Sequence, residues 1–459
     1  MRCIVAQVAV LLVAGSGLGL RGDELVNEAR LMVVDPGHFH AALVQKEMYS
    51  WLDKRVSVYA PLGPDVIDYL NRIGRFNTRA ENPTSWEVEL HTGPDFFERM
   101  LKERPGNVVI LTGRNRPKID RIRASVKDGL HVLADKPWII KSADMEKLEN
   151  VLDAAGEAGL VAYDIMTERY EITSILQREL VNDAGVFGRL GQGSDAEPAI
   201  TARSVHYLMK VVAGVPLRRP VWFFDIDETG EGLADVGTHV VDLVQWTAFP
   251  DEKLDYRTDI RVLGGKRWPT VMSRVDFEKV TGDAEFPPFL SKHVKGGQLE
   301  YFCNNSVRYT VRGTHVKLDI LWNWEAAAGT GDNYEASFRG SKARVEIRQG
   351  KPEHYIPELY VTPESASVKA EVFSALRKKV AALQTVHPGI AVQESGAEAR
   401  LVIPERFRVG HEAHFAQVTN KFSGYLKSPQ TMPAWEKPNM LVKYFISTKG
   451  VEAGSGGGR

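Results

Sequence analysis

Two stretches of this 459-residue sequence carry side chains whose types and spacing could move a proton. The first is Asp135-Lys136-Pro137, near the end of "GLHVLADKPW". The apolar, β-branched run before it reads as a buried strand. Proline forbids the strand from continuing, so Lys136 projects from a fixed, extended backbone. Beside a cationic ligand ring its ammonium would be repelled and its pKa lowered, which suits a proton donor or acceptor. The alternative is a solvated lysine in a strand–helix loop. The second stretch is "GEGLADVGTHVVDLVQW" (230–246). Read as a helix, it places Asp235, His239 and Asp242 at i, i+4 and i+7, on one face. An imidazole between two carboxylates is held in one tautomer and made more basic, as removal of an alcohol proton requires. An exposed stripe in which the carboxylates merely solvate the histidine is the alternative. Gly237, on the opposite side, suggests another backbone packed close behind, since a mid-helix glycine costs ~1 kcal/mol against alanine.

A third stretch, "VVDPGHFHAAL" (33–43), lies where a phosphate-cradling turn would be written G-x-G-x-x-G. Those positions read Asp35, Gly37 and His40, so only the middle glycine is present. The acid expected about twenty residues further on is also missing, because the second strand ends in Ala60 and Pro61. His38 and His40 could donate to phosphate, or could be ordinary loop residues. H-x-x-D is no metal signature by itself, and no metal site is expected. Cys3 and Cys303 are too far apart for a CxxC redox pair or a thiolate metal site.

The elements that must position these groups alternate from Arg30 to about Tyr163. Strands are expected at 30–34, 56–60, 86–90, 107–112, 131–134 and 160–164. Helices are expected at about 41–52, 64–73, 94–103, 117–128 and 143–158. That rhythm implies right-handed βαβ units and a parallel sheet covered on both faces, with ligands at the carboxyl ends of its strands. Lys136 stands at such an end. Beyond Tyr163 come helices near 172–182 and 233–246. Strand-like runs separated by turns follow: "LEYFCNN", "VRYTVRG", "VKLDILWNW", "NYEASFRG", "KARVEIRQG" and "ELYVTPE". Short strands spaced by turns argue for an antiparallel sheet. Residues 385–399 read as a polar surface excursion, 411–449 as helical, and 451–459 as a flexible tail. The expected division is 1–22, 29–170, 171–450 and 451–459.

Lys+Arg (58) nearly balances Asp+Glu (59), and no long basic run stands out, which removes the electrostatic footprint of a nucleic-acid or anionic-membrane partner. The start, "MRCIVAQVAVLLVAGSGLGLRGDE", has the basic, apolar and small-residue regions of a signal peptide, so a periplasmic or secreted location is expected. An uncleaved anchor and a misassigned start are the alternatives.

Taken together, "NVVILTGRN…DGLHVLADKPW" and "GEGLADVGTHVVD" resemble two hallmarks of the Gfo/Idh/MocA oxidoreductases, in the right order and about a hundred residues apart. "SVHYLMKVVAGVPLRRPVWFFD" and "PAWEKPNMLVKYFISTKGVE" resemble a secreted branch of that family with its own C-terminal domain. The resemblance implies an α/β fold: a Rossmann-like doubly wound parallel sheet, then an α+β domain with a large, mainly antiparallel open sheet. It implies hydride transfer between a sugar or glycoside secondary hydroxyl, C3 among the candidates, and NAD or NADP. Lys136 matches the lysine that contacts the reacting hydroxyl and the nicotinamide ribose. His239 matches the general acid/base, and Asp235 the acid working with it. Cofactor contacts are implied at Gly37, His38, Phe39, His40, Thr112, Gly113, Asn115, Asp135, Lys136 and Pro137. Arg169, His206 and Asp242 are candidate substrate contacts. An exported enzyme would need its cofactor tightly bound. Pairing into a homo-oligomer through the open sheet is a further implication. Two alternatives stay open: a cofactor-recycling glycoside hydrolase on the same site, and a carbohydrate-binding protein without redox chemistry.

Overall fold

The computed structural model describes residues 29–212 and 215–456. The leader expected at 1–22 lies outside the described residues. The first domain is a six-stranded, wholly parallel sheet in the order β3-β2-β1-β4-β5-β6. Its strands are β1 (Leu31–Val34), β2 (Arg55–Ala60), β3 (Glu87–Thr92), β4 (Val108–Leu111), β5 (His131–Ala134) and β6 (Ala162–Asp164). Five helices cross between them: α1 (His40–Val44), α2 (Pro64–Thr78), α3 (Phe96–Glu103), α4 (Lys118–Lys127) and α5 (Met145–Glu157). The central strands β1 and β4 are buried at every position, as their unbroken apolar runs require when helices cover both faces. Strand order reverses between β1 and β4, so the turns that follow them sit side by side at the crevice where doubly wound sheets take ligands.

Helix α1 is shorter than its apolar pattern predicts. The carbonyl of Gln45 accepts the Trp86 indole N–H at 2.6 Å, and its side chain receives the Tyr69 hydroxyl. That engagement uses the carbonyl outside the helix and marks its end.

The second domain carries a ten-stranded mixed sheet. Its strands pair antiparallel except for Ile200–Met209 beside Thr314–Glu325, which run parallel. "LEYFCNN" and "VRYTVRG" form one continuous strand, Gln298–Val311, rather than two. The strand Ile260–Met272 escapes pattern reading because it contains Gly264, Gly265 and Pro269. It lies at the sheet edge and breaks register at 262/264 and 268/270, so the missing proline N–H removes no central ladder bond. The polar stretch 385–399 contributes to an edge hairpin, Ala391–Ser395 with Glu398–Val402.

The last two helices return to the first domain. Phe415, Val418, Phe422 and Tyr425 of His411–Lys427 join the core around β1 and β2, while Met440, Leu441 and Tyr444 of Glu436–Ser455 join the core on the other face. The expected tail from 451 is therefore corrected: the helix runs to Ser455. Its glycines make this possible, because Gly450 and Gly454 let the helix backbone lie directly against Gly265 of the edge strand. No helix among the described residues is long and apolar enough to cross a membrane. A Cβ on Gly265 would stand 2.4 Å from the Gly450 carbonyl oxygen, a backbone atom that cannot swing away. Gly265→Ala is expected to lower unfolding free energy by about 1–3 kcal/mol, read as a lower urea midpoint with an unchanged slope.

Candidate active site

Lys136 leaves the end of β5 and is 8% exposed. Its Nζ donates to Oδ1 of Asp235 at 2.5 Å, across the boundary between the two domains. Asp235 is not on the helix that follows. That helix, α8 (Gly237–Ala248), comes after a short α7 (Ile226–Thr229) and α6 (Ile172–Val181), and Asp235 occupies the turn leading into it. The turn is fixed from below by Glu231, which pairs with Arg267 and accepts from Asn305, and by the Leu233 N–H on Asn305. Gly232 is pressed against the Cys303 carbonyl, where a Cβ would stand at 2.0 Å, so this position admits only glycine. Gly237 faces the side chains of Leu233 and Ile320 rather than a neighbouring backbone.

This geometry corrects the expected proton chemistry. Burial works against the Lys136 charge, but Asp235 and Asp135 outweigh it and hold the ammonium above its ordinary pKa. Lys136 is thus a fixed hydrogen-bond donor and positive charge, not a group poised to lose its proton. His239 keeps no carboxylate partner, since Asp235 belongs to Lys136 and Asp242 to Arg169. Its buried Nδ1 has no hydrogen-bond partner among the described residues. Burial, reinforced by Lys136 and His411, pushes its pKa well below 6.5, so the ring is neutral and able to accept a proton.

Arg169 and Asp242, expected as substrate contacts, are engaged with one another. Nε and Nη2 of Arg169 donate to the two Asp242 oxygens at 2.6 and 2.7 Å, and Nη1 reaches Glu436 at 2.9 Å. Lys443, fully buried, bonds Asp164 at 2.5 Å and lies 3.6 Å from Asp242. The group ties β6 and α8 to the last helix, and it holds α8 in place behind His239. His206 faces a different cluster: its Nδ1 lies 2.9 Å from Asp332, which also accepts from Lys210. Burial opposes the Asp332 charge, yet His206 and Lys210 keep its carboxyl well below the usual range.

The expected cofactor residues divide in two. Asp35 takes the left-handed conformation (φ 46°) at the first glycine position, and its carboxylate accepts from Arg121 at 2.8 Å. Gly113 lies against the Asp35 carbonyl, where a Cβ would be 2.1 Å away. Over Gly37 stands the Trp222 indole, whose N–H donates to Asp65 at 2.8 Å while Arg114 stacks on its ring. Phe39 lies under the Arg72 guanidinium, and Thr112 donates to the His38 carbonyl at 3.4 Å. His38 and His40 both turn to Asp135, each Nδ1 2.9 Å from its Oδ2. Asn115 is taken up between Lys118, which donates to its side chain at 2.6 Å, and the Thr229 carbonyl at 2.8 Å. Lys118 also donates to the Asp135 carbonyl, and burial pushes its pKa down to about 8. Pro137 follows Lys136 through a cis peptide. The reacting end, with a lysine donor and an unpartnered imidazole nitrogen, fits a nicotinamide ribose and a substrate hydroxyl. The β1–α1 turn departs from a glycine-rich diphosphate cradle: Asp35 and Asp65 flank it, paired with Arg114 and Arg121, and an indole covers its one glycine.

Sequence reasoning missed Trp222, Asp65, Lys118, His411 and Glu168. Burial and the neighbouring Glu171 push the Glu168 carboxyl up to about 7, and it feels the charges of Lys136 and Asp332. No motif marks these residues; most act through partners distant in sequence, as Trp222 does with Asp65.

The chain is thus a parallel six-stranded sheet joined to a large open sheet, with Lys136 of the first bound to Asp235 of the second. Residues 176–455 match the family described as "Putative oxidoreductase C terminal domain", and the chain belongs to it. A "putative oxidoreductase" of known structure from Parabacteroides merdae is 45% identical, covering 94% of this chain and 98% of its own, with a TM-score of 0.91. KijD10, a 3-ketoreductase from Actinomadura kijaniata crystallised with NADP and TDP-benzene, shares the fold at 15% identity and a TM-score of 0.53, over 91% of this chain and 95% of its own. A "putative myo-inositol dehydrogenase" from Sinorhizobium meliloti does so at 12% identity and 0.53, over 93% and 97%. No curated protein matches the chain.

Removing Arg169 would leave Glu436 buried without its cation and Asp242 with only the more distant Lys443. Arg169→Met is expected to cost about 3–5 kcal/mol in chemical denaturation, whereas a substrate contact would raise KM with stability intact. His411 and His414 are held down to about 4 from 6.5, first by burial. Unfolding therefore takes up protons below pH 6.5, so their contribution is intact above that pH and is lost as pH falls toward 4. The urea midpoint should fall across that window, and fall less in His411→Gln and His414→Gln proteins.

Proposed function

We propose that the protein interconverts a secondary hydroxyl and a ketone on a sugar or glycoside, with C3 among the candidate positions, using NAD or NADP. The observation that carries this reading is the Lys136–Asp235 contact across the two domains, whose ammonium acts on the neutral imidazole of His239. Held at this end, a nicotinamide would supply the hydride acceptor. His239, neutral and desolvated, takes the hydroxyl proton on a ring nitrogen. Lys136 donates a hydrogen bond to the developing alkoxide, and Asp235 keeps the ammonium charged and aimed. The Arg169 network fixes α8, so the imidazole meets the hydroxyl in one orientation. His206, with Asp332 and Lys210, offers a polar wall for further hydroxyls. Export through the leader at 1–22 and a retained, recycled cofactor belong to the same proposal.

The Trp222 indole over Gly37 favours a second reading, carbohydrate binding without redox turnover. The two separate by product analysis, because only the first yields a keto sugar. Lys136→Ala and His239→Ala are each expected to lower kcat by about 10²–10⁴ with the fold intact. Because the His239 pKa lies below 6.5, kcat/KM for alcohol oxidation should stay level through pH 6.5 and fall only at lower pH. Near-normal turnover in either variant would remove the assignment.

A further inference from the structure

The β1–α1 turn carries side chains in place of glycines, and with them a further chemistry. We propose that His38, His40 and Asp135 form a binding site for a divalent transition-metal cation of the zinc class. Two imidazole Nδ1 atoms stand 2.9 Å from the same carboxylate oxygen, and the three ligand atoms lie within 4.8 Å of one another. Metal–ligand bonds of about 2.1 Å place neighbouring ligand atoms about 3.0–3.4 Å apart, so this cluster has nearly the dimensions of one face of a coordination shell. Two histidines and one carboxylate on one face is a ligand set that leaves further positions open.

A second observation is independent of that spacing. The other oxygen of Asp135, Oδ1, is buried without a hydrogen-bond partner among the described residues, in a residue only 3% exposed. A buried carboxylate is costly unless a cation or donors satisfy it. The nearby cations make their hydrogen bonds elsewhere: Lys136 to Asp235, Lys118 to the Asp135 backbone carbonyl and Asn115, and Arg121 to Asp35. His38 is the one partly open member, its side chain 32% exposed, which gives an ion a way in. Phe415 packs on His40 at 4.6 Å and closes the far side. The ligands stand on a turn and a strand end fixed by the parallel sheet, so the site is held rigid. Sequence reading gives no metal signature here because Asp135 is 97 residues from His38.

The proposal stands apart from the redox reading, and its test does not use activity. The full chain is stripped with a chelator and dialysed, then titrated with Zn²⁺ for bound-metal content and with Co²⁺ for visible absorption. One equivalent per chain and a cobalt spectrum of mixed nitrogen–oxygen ligation are expected. His38→Ala, His40→Ala and Asp135→Asn should each weaken binding by about 10- to 100-fold or more, with circular dichroism confirming the fold. Failure of the wild-type chain to retain stoichiometric Zn²⁺ or to develop the cobalt spectrum would overturn the site. So would unchanged affinity in folded His38→Ala protein.

Discussion

The structure turns on one ion pair. An ammonium at the end of β5 meets a carboxylate from the turn before α8, at 2.5 Å and largely out of water. A charge so placed is tolerated only if its partner is fixed, because the desolvation cost is recovered through geometry. Much of the surrounding architecture supplies that fixity. Pro137 ends the strand, Glu231 with Arg267 and Asn305 anchors the turn, and Arg169, Asp242 and Lys443 brace the helix behind it. The same pair sets the electrostatics of the cleft. It keeps Lys136 charged, and that charge in turn discourages protonation of His239. A donor and an acceptor are thereby held in opposite protonation states at neutral pH, the division of labour that alcohol–ketone chemistry needs.

The parallel sheet was readable because each central strand is a short apolar run bounded by loops, a pattern that burial on both faces enforces. Lys136 and His239 stood out as candidates because proline and a polar helical stripe single them out. Their pairing was not. The stripe suggested that Asp235 and Asp242 serve His239, but each carboxylate is claimed by a cation far away in sequence, Lys136 and Arg169. Periodicity reports which residues share a face and says nothing about what approaches that face. The edge strand at Gly265 and Pro269 was hidden for a related reason. Its breakers are permitted by a bulged edge and by a glycine-rich helix at the other end of the chain.

The first turn shows how a fold can keep its topology while the chemistry at one position changes. A diphosphate cradle depends on absent side chains; here Asp35, His38 and His40 supply side chains instead, and Trp222 of the second domain covers what remains. Asp35 adopts the backbone conformation that a glycine would otherwise provide, so the turn retains its shape. The lysine end of the cleft and the histidine-rich turn are joined through the adjacent residues Asp135 and Lys136. Whatever ligand occupies one end feels the charge state of the other.

The proposed function places a nicotinamide cofactor at Lys136 and His239. Native mass spectrometry of the full-length protein, taken from the compartment in which it matures, addresses this directly. One dinucleotide mass per chain is expected, released on denaturation and lost when His239 and Lys136 are replaced together. A bare chain at every step, with no dinucleotide recovered from the denatured protein, would contradict it.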